Sequence, residues 1–325
     1  MKEMRYVRAV SEALSEEMER DPNVFVAGED VARTEGPFNA TRGLYEKFGG
    51  KRVKDTPISE SAIIGLAVGS AVMGLRPVVE IMFMDFLAVC MDQIANQAAK
   101  FRYMCGGQFS LPMVIRTPAG AGSNAGPQHS QSLEAWLAHI PGLKVVMPGT
   151  VHDVKGLLKS AVRDDNPVIF IENKTLYAGK GTVPDEEYLL PLGKADIKQE
   201  GKDVTVVTAG AMYHSVLAAA GQLKREEGVE VEIVDLRSIM PLDKETIFNS
   251  VRKTGRLVVV HEAVKDFGFG AEVVSLVVEE AFDYLDAPPR RIGAPFTPVP
   301  FCRSLETAYI PGSERIVTAI KEIMR

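Results

Sequence analysis

The sequence predicts an α/β protein with two parallel-sheet domains. Short apolar runs recur along the chain, and segments with helical periodicity separate them. Strands without a polar face are typical of a parallel sheet that helices cover on both sides. The length of 325 residues, with 46% hydrophobic and 25% charged residues, provides apolar material for two cores of ordinary size.

A polar stretch over residues 177–192, YAGKGTVPDEEYLLPL, divides the apolar runs into two sets. It contains two prolines and two glycines, a composition that is typical of a linker. The sequence therefore predicts a first domain over residues 1–185 and a second domain over residues 186–325.

The N-terminal segment predicts a helix, because Met4, Val7, Val10, Leu14 and Met18 repeat at helical spacing. The strands predicted next in the first domain cover residues 23–28, 76–82, 112–117, 144–148 and 167–172. In the second domain the predicted strands cover residues 203–210, 229–236 and 256–262, and the predicted helices are Tyr213 to Glu227, Asp243 to Arg252 and Gly270 to Leu285.

Composition and charge exclude several classes of protein. The formal net charge is -6 and no Lys/Arg run stands beside aromatic residues, which argues against a nucleic-acid partner. The three cysteines, Cys90, Cys105 and Cys302, have neither disulfide-frame nor zinc-site spacing and fit a reducing compartment. The uncharged run Ser61 to Leu75 is shorter than the roughly 20 residues that span a bilayer. We therefore expect a cytoplasmic protein without a membrane partner, since the glutamate-rich N-terminus is not typical of a targeting peptide.

Glu60 stands at the start of a predicted helix that has no other charged residue as far as Leu75. Ser59 and Ser61 are good N-caps, and Asp55 ends the preceding strand-like run. One interpretation is a carboxylate that the positive end of the helix favours. The other is an acid–base group, because apolar surroundings disfavour the charged form and favour a proton shared with a ligand. The residues alone leave both interpretations open.

His129 is the one histidine of five that lies in a loop of small and polar residues, AGAGSNAGPQHSQS. A histidine in a loop after a strand is a candidate proton carrier. In the alternative interpretation Ser130 or Ser132 caps the following helix and His129 has no role. The glycines of this loop are spaced G-x-G-x-x-x-G, which does not match the dinucleotide-binding fingerprint.

A cluster of apolar side chains follows the strand predicted over residues 76–82. Met82, Phe83, Met84 and Phe86 stand at the carboxyl end of that strand, where parallel sheets place ligands. A role in the core is the common alternative for such residues.

Six motifs occur in one order along the chain: GEDV (28–31), DTPISE (55–60), GLRPVVEIMFMDF (74–86), GPQHSQS (126–132), PGLKVVMP (141–148) and KGLLKSAVRDDNPVIFIE (155–172). With PLGKADI, IVDLRSIMPLD and APFTPVPF in the second half, they resemble the β subunit of the thiamine-diphosphate-dependent first component of 2-oxo acid dehydrogenase complexes. Within that family the chain is most similar to the acetoin dehydrogenase branch, with pyruvate dehydrogenase next and branched-chain enzymes less similar.

The resemblance implies a pyrimidine-binding thiamine fold followed by a transketolase-type C-terminal domain. It implies that Glu60 hydrogen-bonds the aminopyrimidine ring of thiamine diphosphate, and that Ile58, Met82 and Phe86 pack on that ring. It implies further that His129 assists acyl transfer to lipoamide. Four positions match those that hold a structural potassium ion in relatives, largely through backbone carbonyls: Met113, Ala161, Asp164 and Asn166.

The resemblance also implies partners. Thiamine enzymes bind the diphosphate through Mg²⁺ and a GDG motif, and this sequence has no GDG. An α subunit is therefore expected to hold the Mg²⁺ and the diphosphate in an α2β2 heterotetramer that serves a lipoyl-bearing acyltransferase core. The substrate is expected to be acetoin, or alternatively pyruvate or another 2-oxo acid.

Two other classes of function compete with this one. The chain could be a non-catalytic scaffold subunit, in which Gly65 and Gly69 serve only as interface residues. It could also be a self-contained dinucleotide-binding enzyme, which the glycine spacing disfavours.

Overall fold

The structure is a computed structural model that describes residues 1–325. The chain divides into two compact units, one of residues 1–119 and 136–192, the other of residues 120–135 and 193–325. The predicted division between residues 185 and 186 stays a prediction. The sequence analysis did not anticipate that residues 120–135 cluster with the second unit. None of the helices has the length and apolar character needed to cross a membrane.

The first unit is built around a parallel sheet. The strands of this unit are β1 (Lys2–Arg5), β2 (Val24–Gly28), β3 (Val53–Asp55), β4 (Arg76–Glu80), β5 (Val114–Ala119), β6 (Lys144–Val146), β7 (Val168–Asn173) and β8 (Lys180–Val183), of which β1 and β8 form a separate pair. The order β6-β7-β5-β4-β2-β3 is parallel at every pairing. Every residue of β2, β5 and β7 is buried, as the continuous apolar runs predict.

Six α-helices precede residue 164: α1 (Tyr6–Arg20), α2 (Leu44–Phe48), α3 (Glu60–Val72), α4 (Phe101–Met104), α5 (Glu134–Ala138) and α6 (Val151–Arg163). A 3-10 helix covers Met84–Cys90, a π-helix covers Gln93–Ala98 and another 3-10 helix covers Lys174–Leu176.

The N-terminal helix begins later than its periodicity predicts. Residues 2–5 form β1, which pairs antiparallel with β8 inside the segment predicted to be a linker. The amide of Tyr6 then donates to the carbonyl of Gly179 at 2.8 Å, and that of Val7 donates to the carbonyl of Tyr177 at 3.2 Å. Backbone partners from distant sequence therefore override local periodicity at this end of α1.

A buried ionic cluster joins three neighbouring strands of the first unit, β4, β5 and β7. Arg116 on β5 donates to both carboxylate oxygens of Glu172 on β7, at 2.6 and 2.8 Å, and to Glu80 on β4 at 2.6 Å. The hydroxyl of Tyr177 donates to Glu172 at 2.9 Å. Burial raises the pKa of Glu80, against the effect of the Arg116 guanidinium.

The second unit contains a sheet of mixed direction. The strands of this unit are β9 (Asp196–Gln199), β10 (Val204–Thr208), β11 (Val231–Asp235), β12 (Ser238–Met240), β13 (Leu257–Val264) and β14 (Arg290–Ala294), of which all but β12 belong to this sheet. Its helices are α7 (Met212–Glu227), α8 (Lys244–Thr254), α9 (Phe269–Ala281), α10 (Arg303–Tyr309) and α11 (Ser313–Ile323), and a 3-10 helix covers Phe282–Tyr284.

The five-stranded order is β14-β13-β10-β11-β9, in which only the edge strand β9 is antiparallel to its neighbour. The three predicted strands form β10, β11 and β13, and the three predicted helices form α7, α8 and α9 within a few residues of their predicted bounds.

Candidate active site

The loop before Glu60 is held by hydrogen bonds at the end of β3. The carboxylate of Asp55 accepts from the amides of Ala32, at 2.6 Å, and Arg33, at 3.4 Å. The amide of Thr56 donates to the carbonyl of Gly28 at 2.9 Å. The carbonyl of Ser59 then accepts from the second and third residues after Glu60, so α3 begins with Glu60 in its first turn.

The Glu60 side chain is buried without a partner in the chain. The residue is 8% exposed, no protein group donates a hydrogen bond to its carboxylate, and it forms no ion pair. Because a buried carboxylate needs hydrogen bonds or an opposite charge, Glu60 is suited to bind a ligand that donates a hydrogen bond. The N-terminus of α3 offers partial compensation for its charge.

The negative charge of Glu60 contributes to raised pKa values of two further groups in the first unit. Glu29 follows β2 and is 8% exposed, and burial, together with the negative charges of Glu60 and Asp30, raises its pKa. Burial raises the pKa of the Cys90 thiol to about 12, to which the charge of Glu60 contributes. The sequence analysis missed Glu29, although an acidic residue at the carboxyl end of a buried strand is a signal for a ligand site.

The three apolar residues expected beside the cofactor lie on the same unit as Glu60. Ile58 stands two residues before α3 and is 82% exposed. Met82 follows β4, and Phe86 lies in the 3-10 helix Met84–Cys90, where its ring meets the Phe83 ring edge-on at 6.0 Å. Both side chains are half-buried. They therefore have apolar surface left for an aromatic ligand ring.

A contact from the start of α3 joins the helix to the segment that carries Phe86. The hydroxyl of Ser61 donates to the carbonyl of Val89 at 2.9 Å. The structure thus brings the first turn of α3 and this 3-10 helix into contact.

His129 lies in the second unit, within the segment of residues 120–135. The residue is half-buried, and its amide donates to the carbonyl of Gly126 at 3.3 Å. Two acidic residues of the second unit that the sequence analysis missed, Glu262 and Glu306, accept hydrogen bonds from the backbone of this segment. The linear sequence contains no signal for these contacts, because each acid is more than a hundred residues away from its partner.

The residues expected to hold potassium all lie in the first unit. The carbonyl of Met113 accepts from the amide of Val168 at 2.9 Å, and the carbonyl of Ala161 accepts from the amide of Asp164 at 3.3 Å. A carbonyl oxygen has two lone pairs, so each of these oxygens can accept a further bond.

Cationic side chains already contact the other two residues of that set. Arg76 donates to the Asp164 carbonyl at 3.2 Å, and Lys144 forms an ion pair with the Asp164 carboxylate. Arg102 donates to the side-chain oxygen of Asn166 at 2.6 Å. These two side chains are therefore already paired, and a cation bound at the four residues would depend on backbone oxygens.

Family models match nearly the whole chain. The transketolase pyrimidine-binding domain matches residues 2–180, and the transketolase C-terminal domain matches residues 193–316. A solved structure described as a split-gene transketolase, an inactive β4 tetramer, superposes with a TM-score of 0.81 at 24% identity, covering 99% of this chain and 98% of the other. The predicted fold class is confirmed by these matches.

Similar curated proteins are β subunits of dehydrogenases. The acetoin:2,6-dichlorophenolindophenol oxidoreductase β subunit of Cupriavidus necator is 49% identical, covering 98% of this chain and 96% of its own. A mitochondrial pyruvate dehydrogenase E1 β subunit of Oryza sativa is 48% identical, covering 98% and 86%. The 2-oxoisovalerate dehydrogenase β subunit of Bacillus subtilis is 46% identical, covering 99% of both chains.

Proposed function

The chain belongs to the transketolase-type family that includes the β subunits of acetoin and 2-oxo acid dehydrogenases, and on this basis we propose that it is the β subunit of an acetoin dehydrogenase-type first component. The enzyme would cleave acetoin into acetaldehyde and a two-carbon unit, and the disulfide of lipoamide would oxidise that unit and accept it as an acetyl group. Pyruvate is the alternative substrate, favoured by the 48% identity to a pyruvate dehydrogenase subunit. A branched-chain 2-oxo acid ranks third, although the 46% identity of such a relative makes the margin small.

Thiamine diphosphate is the cofactor, and its pyrimidine half fits the residues of this chain. The observation that carries the proposal is Glu60, buried at the start of α3 with no donor from the protein. The Glu60 carboxyl group would share a proton with a ring nitrogen of the aminopyrimidine, and this shared proton would provide the missing hydrogen bond. When bound, the cofactor supplies a carbanion and then an electron sink for the carbonyl substrate.

The residues of this chain have separate roles in the proposal. Glu60 holds a proton at the pyrimidine nitrogen, and the low-dielectric surroundings strengthen that interaction. Ile58, Met82 and Phe86 present apolar surface to the ring. His129 holds or moves a proton during acyl transfer to the lipoyl group.

An α subunit completes the enzyme, since β subunits of this family are defined by that pairing. We propose that the α chain holds the Mg²⁺ and the diphosphate, because the present sequence has no GDG motif. We propose also that two chains of each kind form an α2β2 heterotetramer that serves a lipoyl-bearing acyltransferase core.

Replacement of Glu60 tests the catalytic assignment. Glu60→Gln, purified with the α subunit, should assemble normally and lose at least about 100-fold in dye-linked turnover, because acid–base groups contribute factors of this size. Glu46→Gln is the matched control, since Glu46 is an exposed carboxylate in the first turn of α2 in the same unit. Near-normal turnover of assembled Glu60→Gln would refute the assignment.

The same variants distinguish the scaffold hypothesis. If the chain were a non-catalytic subunit, calorimetric titration would give the same affinity for thiamine diphosphate in wild type, Glu60→Gln and Phe86→Ala complexes. We expect weaker binding in both variants. A panel of acetoin, pyruvate and 2-oxoisovalerate with dichlorophenolindophenol as the acceptor identifies the substrate.

We propose potassium as a structural ion held largely by backbone carbonyls at Met113, Ala161, Asp164 and Asn166. A ligand that binds only the folded state raises its stability. The unfolding temperature should therefore be higher in potassium chloride than in choline chloride of equal ionic strength, and equal values would exclude the site.

A further inference from the structure

The segment that carries His129 begins with a glycine-rich loop whose amides donate to acidic side chains. The amides of Ala121, Gly122 and Asn124 take part in no helical or sheet backbone hydrogen bond and donate to carboxylate side chains. Ala121 is buried, Asn124 is half-buried and Gly122 is exposed. Backbone amides of an irregular loop that lack helix or strand partners are satisfied by side chains or water, and a side-chain partner helps to fix the conformation of the loop. Here the partners are two carboxylates of the second unit.

Glu306 binds two of these amides at once. It lies in the first turn of α10 and is 2% exposed. One carboxylate oxygen accepts from Gly122 at 2.8 Å, and the other accepts from Asn124 at 2.9 Å. Hydrogen bonds to an ionised acceptor are about twice as strong as neutral ones, and a two-point contact also fixes orientation.

Glu262, at the end of β13, binds the neighbouring amide. Its carboxylate accepts from Ala121 at 2.5 Å. The Ala121 side chain packs in a small apolar cluster with Ala294, Val299 and Tyr309. Three of the four amides from Ala121 to Asn124 are therefore bound by carboxylates, and the Ala121 side chain of the same loop is packed in an apolar cluster.

The fixed part of the loop is connected directly to His129. The amide of Gly120 donates to the carbonyl of Gln131 at 3.2 Å, which closes the loop across its ends. Gly126 has a φ of +76°, and a Cβ there would lie 2.7 Å from the Phe301 ring. Its carbonyl accepts from the amide of His129. A shift of Ala121, Gly122 and Asn124 would therefore move the backbone of His129.

We propose that Glu306, supported by Glu262, is a positioning residue that holds His129 in place for acyl transfer to the lipoyl group. This inference rests on the proposed function of His129 and extends it, because neither acid need touch the cofactor or the substrate. It predicts that loss of the hydrogen bonds from Glu306 and Glu262 to the loop slows the transfer step and leaves the rate of the earlier steps unchanged. Displacement by about 1 Å can cost up to about 100-fold in rate.

The test compares two reactions of the same α-containing complexes. Reduction of dichlorophenolindophenol reports the steps before transfer, and acetylation of a lipoyl domain reports the transfer. In Glu306→Gln an amide group replaces one accepting oxygen and presents a donor to a backbone amide. We expect at least a tenfold loss of lipoyl acetylation with dye reduction within twofold of wild type.

Hydrogen exchange provides a readout that does not depend on activity. Peptides that cover residues 120–131 should exchange faster in Glu306→Gln than in wild type, whereas peptides of the first unit should not change. Glu280→Gln is the matched control, because Glu280 is an exposed carboxylate of α9 in the same unit. If Glu306→Gln fails to assemble, Glu306→Asp keeps the charge on a side chain shorter by one methylene and should show the same selective loss.

The outcomes separate this inference from the proposal on which it rests. Unchanged exchange or an equal loss of both reactions in the Glu306 variants would overturn the positioning role. If His129→Ala retained full lipoyl acetylation while exchange of the loop increased in Glu306→Gln, the proposed role of His129 would be wrong and the positioning role would fall with it. Selective loss in both His129→Ala and Glu306→Gln supports both.

Discussion

Glu134 and His261 are buried titratable residues of the second unit. The charged form of each destabilises the folded state, and Glu134 becomes charged as pH rises whereas His261 becomes charged as pH falls. Burial and the nearby charge of Glu262 raise the pKa of Glu134 to about 7, and neither carboxylate oxygen has a hydrogen-bond partner. Burial lowers the pKa of His261 to about 4, although its ring nitrogen Nδ1 lies 3.1 Å from the carbonyl of Ala263.

The sign of each effect follows from the proton affinities of the two states. Glu134 binds its proton more tightly when folded, so its contribution to stability is present below its unfolded pKa of about 4.5 and is lost as pH rises to about 7. His261 binds its proton less tightly when folded, so stability is lost as pH falls from about 6.5 to about 4. The two effects oppose each other over the range they share.

Replacement of Glu134 by an uncharged residue should change how the stability of the protein depends on pH. We expect Glu134→Gln to be more stable than wild type at pH 8, by about 1–3 kcal/mol, because the wild type must bury an unpaired carboxylate there. The difference should shrink as pH falls to 5. Chemical unfolding across this pH range measures it, with Glu280→Gln as the exposed control. A difference that does not vary with pH would contradict the prediction.

At the residue scale, the sequence analysis could locate Glu60 but not Glu134 or His261. The helix start that precedes an uncharged run is a local signal, and the structure places Glu60 in the first turn of α3. Burial of Glu134 and His261 depends instead on partners such as Gly268, Gly270 and Gly293, whose absent side chains make room for the His261 ring. Such partners cannot be inferred from local pattern.

Among the elements, strands β4, β5 and β7 depend on the cluster around Arg116. Its guanidinium is fully buried and is the only cation that contacts Glu80 and Glu172 within hydrogen-bond distance. Removal of one member of a buried ion pair costs more than the pair contributes, because the remaining charge is left without compensation.

Arg116→Met should therefore destabilise the protein by about 3–5 kcal/mol. The methionine fills part of the space but leaves two carboxylates facing each other. Arg33→Met, at an exposed position without an ion pair, should change the free energy of unfolding by less than about 0.5 kcal/mol. Denaturant titration of both variants measures the two values, and a loss below about 1 kcal/mol for Arg116→Met would show that the cluster is dispensable.

Element prediction succeeded where burial is continuous and failed where pairing is non-local. The apolar runs located the buried central strands of both sheets. Strands β1 and β9 have the sequences KEMR and DIKQ, which carry no apolar run, and each forms only because a distant strand offers backbone partners. Polar edge strands of this kind lie outside what periodicity can detect.

At the scale of the whole molecule, α3 leaves an apolar face exposed. Gly65 and Gly69 have no atom within 4 Å of a Cβ built on them, and Met73 on the same side is 81% exposed. A face of this character in a family of paired subunits is suited to a tight contact with another chain. We expect it to be covered in the assembled enzyme.

Gly69→Arg should therefore leave the isolated chain folded and prevent assembly with the α subunit. The substitution has room in the isolated chain and replaces a helical glycine by a better helix former. Gly221→Arg in α7 is the matched control and should assemble normally. Circular dichroism and size-exclusion chromatography with the α subunit distinguish the cases, and normal assembly of Gly69→Arg would show that this face lies outside the interface.

The path of the chain has a consequence for how the polypeptide can be divided. Residues 120–135 are synthesised between strands of the first unit, yet Ala121 and Gly122 find their carboxylate partners 141 and 184 residues further on. In a fragment that stops at residue 192, this segment would lack Glu262 and Glu306 as partners and would be susceptible to proteolysis. During synthesis on the ribosome, this segment can form these contacts only after most of the C-terminal half has emerged. Because one unit contains a segment that lies within the sequence of the other, a single division of the chain cannot separate the two units for exchange between relatives.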